Sequence, residues 1–194
     1  MYIWVAIDVD DQLASLRAAA QYVTDELSAW NPVLTLPLHI SLRISFPVED
    51  ALSARVIDRI AGYFATLQPF SVTPDKIERH GLVVWLKMTP NDHLRRIHDD
   101  LVCMLQEEFG VRPHPFDNDF LYHASLFLSA DEANVAVAFT ALQAAEYPAE
   151  LTAHRLVIGE SETGSAGEYR IRQAYTLSDR PVPPRKQSAH RRGR

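Results

Sequence analysis

The sequence predicts an α+β fold built as two similar halves under one shared groove. Three observations lead there: an ordinary globular composition, alternating helical and strand-like periodicities, and a constant offset between the two runs of elements. The chain has 194 residues, of which 47% are hydrophobic and 23% charged. That excludes a disordered or fibrous protein. A chain this long buries roughly 70% of its unfolded surface and needs no disulfide or metal to hold it together.

The elements follow in order. Tyr2–Val9 reads as a strand, rich in β-branched and aromatic residues. Residues 11–29 place Leu13, Leu16, Ala20, Val23 and Leu27 at helical spacing after the acidic pair Asp10 and Asp11. Leu36–Phe46 is a second strand. Residues 50–67 form a helix through Leu52, Val56, Ile60, Phe64 and Leu67, with Asp50 as its cap. Phe70–Glu78 closes the first half. Leu82–Met88 opens the second. Its first helix, 91–109, carries Leu94, Ile97, Leu101 and Leu105, with Thr89 as the expected N-cap, Pro90 at the first position and Gly110 past the end. Phe120–Leu128 is the next strand. A Ser129-x-x-Glu132 capping box starts the helix 131–145, which carries Val135, Phe139 and Leu142. Glu150–Ile158 and Tyr169–Leu177 complete the set.

Matching elements start 80, 80, 81 and 80 residues apart, so the pattern spans about 2–78 and repeats over 82–158, with a final strand at 169–177. The expected arrangement is a single bilobal domain over 1–180, each lobe an antiparallel-rich sheet backed by two helices. The segment 181–194 is rich in Pro and Arg and reads as an unstructured tail. It holds five of the 19 basic side chains and no acid, which leaves a net of −11 over residues 1–180. Such an acidic body argues against wrapping long nucleic acid. The lone Cys103, the absence of a twenty-residue apolar run and an N-terminus that turns acidic by residue 8 fit a cytoplasmic protein with no membrane partner. A monomer is expected.

The middle strand of each half carries the same short phrase, Leu38-His39-Ile40-Ser41-Leu42 and Tyr122-His123-Ala124-Ser125-Leu126. Alternation puts His39 with Ser41, and His123 with Ser125, on one face and their apolar neighbours on the other. A pseudo-twofold brings the two pairs together across the groove. Two imidazoles suit general acid and base on either side of a phosphorus, and two hydroxyls suit its charged oxygens. One His-x-Ser is uninformative; two on equivalent strands of a repeat are not.

These paired motifs and the element order resemble the two-histidine (2H) phosphoesterase superfamily, the LigT-like or 2′-5′ RNA ligase proteins. The resemblance implies metal-independent cleavage of a 2′,3′-cyclic phosphate or 2′-5′ phosphodiester in a nucleotide or RNA terminus, with no cofactor and no metal. It assigns catalysis to His39, Ser41, His123 and Ser125. Both motifs have Ser where the family's commonest form has Thr, which keeps the hydroxyl. The alternative is a non-catalytic module that holds a nucleotide or RNA end in the same groove.

Strict alternation extends the site by two residues: Arg43 to pair with phosphate and Phe127 to stack on a base. Other clusters read as structural. His114, Asp117 and Asp119 belong to a Pro-flanked turn, Asp92, His93, Asp99 and Asp100 to a solvated helix face beside His98, and His80 and His154 to strands without a signature. No P-loop, GxGxxG, GxSxG or CxxC pattern occurs.

Overall fold

Antiparallel pairing joins seven strands into one sheet, and helices cover one of its faces. The computed structural model describes residues 1–178, so the basic segment 181–194 lies outside the described residues. In chain order the elements are β1 (Tyr2–Asp8), α1 (Ala14–Glu26), β2 (His39–Pro47), α2 (Asp50–Phe64), β3 (Phe70–Val72), β4 (Pro74–His80), β5 (Val83–Met88), α3 (Asp92–Phe109), β6 (His123–Leu128), α4 (Glu132–Leu142), β7 (Leu151–Ala153), β8 (Arg155–Ser161) and β9 (Arg170–Thr176). Short 3₁₀ turns at Pro32–Thr35 and Pro115–Asp117 lead into β2 and β6.

The large sheet runs β4-β5-β6-β2-β1-β8-β9, and β3 pairs with β7 beside it. The α+β duplicated architecture is the one expected, but the halves are laced together. Strand β4 of the first half pairs with β5 of the second, and β8 of the second pairs with β1 of the first. Helices cross over too: α1 packs on β6 and α4, while α3 packs on β2 and α2. Each expected closing strand is split, at Thr73 and at His154, into a short piece and a long one. The main core lies between sheet and helices, and a small cluster of Trp4, Ala6 and Val157 lies on the opposite face.

Helix ends differ from expectation where a nearer side chain does the capping. Asn91, not Thr89, caps α3 by accepting from the Leu94 amide at 2.8 Å, while the Thr89 amide donates to the Thr73 carbonyl. Asp131 caps α4 at the Ala133 amide, while Ser129 accepts from the Asp131 amide. Asp50 sits inside α2 and pairs with the terminal amine of Met1 at 3.1 Å. Gly110 ends α3 with φ 69, the left-handed value that glycine adopts without a Cβ clash.

The strands that carry the motifs both break alternation at the same place. Ser41 pairs with Ala6, but the next β1 residue, Val5, pairs with Arg43, so Leu42 is an extra residue. Likewise Ser125 pairs with Trp85 and Phe127 with Val84, so Leu126 is extra. These are β-bulges, and each flips the residue that follows onto the helix side. Arg43 is 2% exposed and Phe127 fully buried. The expectation that both face the groove is therefore corrected: Ile44 and Leu128 take those places.

Side chains from elsewhere satisfy both bulges. The Leu42 carbonyl accepts from His98 Nδ1 at 2.9 Å. The Leu126 carbonyl accepts from Asn31 Nδ2 at 3.1 Å, and the Leu128 amide donates to Asn31 Oδ1 at 3.2 Å. Arg43 ends in a buried ion pair with Asp117 at 3.0 Å, donates to the Arg112 carbonyl, and lies 5.6 Å from the Phe46 ring.

Two substitutions test this construction by chemical denaturation. Arg43→Ala leaves the Asp117 carboxylate buried and unpaired and is expected to cost about 3–5 kcal/mol. Asn31→Ala strands a buried carbonyl and a part-buried amide and is expected to cost about 2 kcal/mol.

Candidate active site

Strands β2 and β6 pair at a single point, Ile40 opposite Ala124, and part on either side. Carrying that antiparallel register one residue each way sets His39 beside Ser125 and Ser41 beside His123. All four turn away from the helices. The two histidines lie on the diagonal of this square, where cross-strand neighbours are about 7–8 Å apart. That span accommodates one phosphate between two imidazoles.

A cleft of about 540 Å³ lies over the square, lined by both motifs. Its walls are largely apolar: Leu36 and Val33 on one side, Leu121, Phe116 and Phe120 on the other, with Ile44 and Leu128 beyond the bulges. Among the described lining residues Asp119 is the one carboxylate, and there is no Lys or Arg.

Both imidazoles are held alike. His39 Nδ1 contacts the Pro37 carbonyl at 2.8 Å and His123 Nδ1 the Leu121 carbonyl at 2.7 Å. A carbonyl only accepts, so Nδ1 carries the hydrogen and Nε2 is the nitrogen left for chemistry. Each ring lies against an indole, His39 at 4.5 Å from Trp4 and His123 at 4.0 Å from Trp85. Burial lowers the pKa of His39, opposed by the Pro37 carbonyl and by Asp8 and Asp10. Burial also pushes His123 down, to about 4, assisted by His39 and His80 and opposed by the Leu121 carbonyl and Glu78. Protonating one motif histidine therefore works against protonating the other.

The remaining clusters are occupied structurally. His114 Nδ1 accepts from the Phe116 amide, and Asp117 accepts from the His114 amide at 2.6 Å while pairing with Arg43. Among the described residues no three His, Cys, Asp or Glu side chains are grouped to hold a metal ion. Asp92, His93, Asp99 and Asp100 are exposed as expected. His98 is buried as the brace of the first bulge.

Sequence reasoning missed the rings that flank the motif histidines in the cleft. Trp4 and Trp85 stand 81 residues apart on equivalent strands, a match at the repeat offset that would have revealed them. His80, read as structural, lines the cleft and stacks on Trp85.

Residues 7–165 match the family described as the 2′-5′ RNA ligase superfamily. The chain belongs to that superfamily. Solved structures similar to this 2′-5′ RNA ligase superfamily member share its fold at low identity. LigT of E. coli complexed with NADP+ is 19% identical, over 90% of this chain and 96% of that one, with a TM-score of 0.58. The protein TT0787 of Thermus thermophilus is 17% identical, over 91% and 98%, with a TM-score of 0.65. LigT of E. coli complexed with 3′-AMP is 19% identical, over 91% and 97%, with a TM-score of 0.53. No curated protein matches this superfamily member by sequence. No helix among its described residues is long and apolar enough to cross a membrane.

The depressed His123 pKa has a measurable consequence. The unfolded chain takes up this proton near pH 6.5 and the folded chain only near pH 4, so between those values the unfolded state binds more protons. Stability should fall as pH drops from 6.5 to 4. Urea midpoints should fall less steeply over that window in His123→Gln than in wild type.

Proposed function

We propose that the protein is a metal-independent phosphodiesterase that opens a 2′,3′-cyclic phosphate, or cleaves a 2′-5′ phosphodiester, in a nucleotide or RNA end. The observation that carries this reading is the pair of His-x-Ser motifs on one cleft face, each histidine held by Nδ1 with Nε2 unclaimed. Membership of the superfamily supports phosphodiester chemistry. E. coli LigT, similar in fold, is described in complex with NADP+ and with 3′-AMP, which supports a nucleotide as the occupant. The apolar walls suit a base and sugar better than a run of phosphates.

In the proposed reaction, one neutral imidazole takes a proton from water as the water oxygen bonds to phosphorus. The other imidazole, protonated, gives its proton to the departing ribose oxygen as the phosphorus–oxygen bond breaks. Ser41 and Ser125 donate to the non-bridging oxygens as charge builds there. Mutual repulsion disfavours protonating both rings at once, so a pair that gains a proton holds it on one ring and leaves the other neutral, the state this division of labour needs. The hydroxyls and imidazoles of the two motifs, with Asp119 the one carboxylate among the described lining residues, make a poor donor set for Mg²⁺.

Turnover of 2′,3′-cyclic mononucleotides and 2′-5′ dinucleotides tests the proposal. His39→Ala and His123→Ala should each lose several orders of magnitude in kcat, with the double variant little worse. Ser41→Ala and Ser125→Ala should each lose about 10²–10³. Activity should survive dialysis against EDTA. Because both histidines titrate low, the bell-shaped kcat/KM profile should peak below pH 6.5. Near-additive losses, or full activity in either histidine variant, would sink the mechanism, and binding without turnover would leave the cleft as a nucleotide-holding module.

A further inference from the structure

The two halves agree at the motif histidines and diverge in what supports them. Each histidine rests against an indole, Trp4 on β1 or its repeat counterpart Trp85 on β5. Trp4 is immobilised by close packing. It lies so near Gly159 that a Cβ there would fall 2.0 Å from the indole nitrogen. That nitrogen is buried without a partner among the described residues, and Tyr169 meets the ring edge-on at 6.2 Å.

The other indole has no such bed. The repeat places Glu78 of the first half where the second half has Gly159, and His80 where it has Ser161. Glu78 lies directly opposite Trp85 in the β4–β5 ladder. Its carboxylate accepts from Trp85 Nε1 at 3.1 Å and is steadied by Lys76 at 3.3 Å. His80 stacks on Trp85, with centroids 4.7 Å apart and planes 14° from parallel. Trp85 in turn contacts the His123 ring at 4.0 Å. Three rings, His80, Trp85 and His123, are thus in sequential contact, and a carboxylate fixes the middle one. Glu78 and His80 sit on β4, an edge strand of the sheet, where packing alone constrains a side chain least.

We propose that Glu78 and His80 are positioning residues for His123, acting through Trp85. The Leu121 carbonyl fixes one edge of the His123 ring, but a single hydrogen bond leaves the ring free to swing about it. The indole face removes that freedom and aims Nε2 into the cleft, provided the indole itself cannot turn. Glu78 holds its nitrogen and His80 covers its surface. His39 needs neither, because Gly159 lets Trp4 seat directly on backbone.

The proposal rests on His123 as a reacting group, so its test pairs kinetics with a measurement that needs no turnover. The variants are Glu78→Ala, Glu78→Gln, His80→Ala and His80→Phe in the full chain. The readouts are kcat and KM on a 2′,3′-cyclic mononucleotide, and the ring-current shifts of the His123 imidazole protons. Both alanine variants should lower kcat about tenfold, as small misplacements of a reacting group do, with KM within about twofold. They should also move the His123 resonances toward unstacked positions. Glu78→Gln keeps an acceptor and His80→Phe keeps a ring, so both should restore kcat and the shifts. If an alanine variant does not fold, Glu78→Leu or His80→Leu takes its place. Unchanged kcat and unchanged His123 shifts in the alanine variants overturn the proposal. So do conservative variants as impaired as the alanines. If the wild type cleaves no phosphodiester, the proposed function fails by itself and the resonance shifts decide this point alone.

Discussion

Two extra residues, Leu42 and Leu126, govern how the cleft is furnished. A bulge leaves one residue out of the ladder, and a carbonyl left over in a protein interior must find a donor. Here the donors come from the opposite half of the chain: His98 on α3 reaches the bulge in β2, and Asn31, between α1 and β2, reaches the bulge in β6. The braces are crossed, so each motif strand is held in shape by the half that does not contain it. Because the bulges follow the serines directly, the next residues turned toward the groove are the apolar Ile44 and Leu128.

That turn decides the electrostatics of the cleft. Arg43 would have been its natural cation, yet it is buried against Asp117. With no guanidinium or ammonium among the described lining residues, negative charge arriving in the cleft has to be met by hydroxyls and by a proton on the histidine pair. Such interactions are weak in water and stronger behind apolar walls, where the local dielectric is low. The same walls account for the depressed histidine pKa values: burial disfavours the charged ring until an anion stands beside it.

Periodicity made much of the fold legible. Leu94, Ile97, Leu101 and Leu105 fall on one buried stripe of α3, and the near-constant offset between halves announced the duplication before any contact was known. Both His-x-Ser motifs were readable because strand alternation holds up to Ser41 and Ser125. It failed at the next step: a bulge has no local signature in Leu-Arg or Leu-Phe, and its braces lie more than 50 residues away in sequence. His80 was illegible for a related reason. Its role depends on lying next to Trp85 in space, which follows from the turn between β4 and β5 and not from any motif. The exchange of closing strands was equally hidden, since either pairing satisfies the same hydrophobic pattern.

That exchange sets the order in which the protein can be built. Strand β1 emerges first in synthesis, but one of its two edges waits for β8, about 150 residues later. Through most of translation the chain therefore carries an unfinished sheet with an open, apolar edge, the kind of surface that recruits other chains. Neither half could be cut out and inherited as a folding unit, for each would lack the strand that completes it. What began as two copies has become one object, finished only when its last strands arrive.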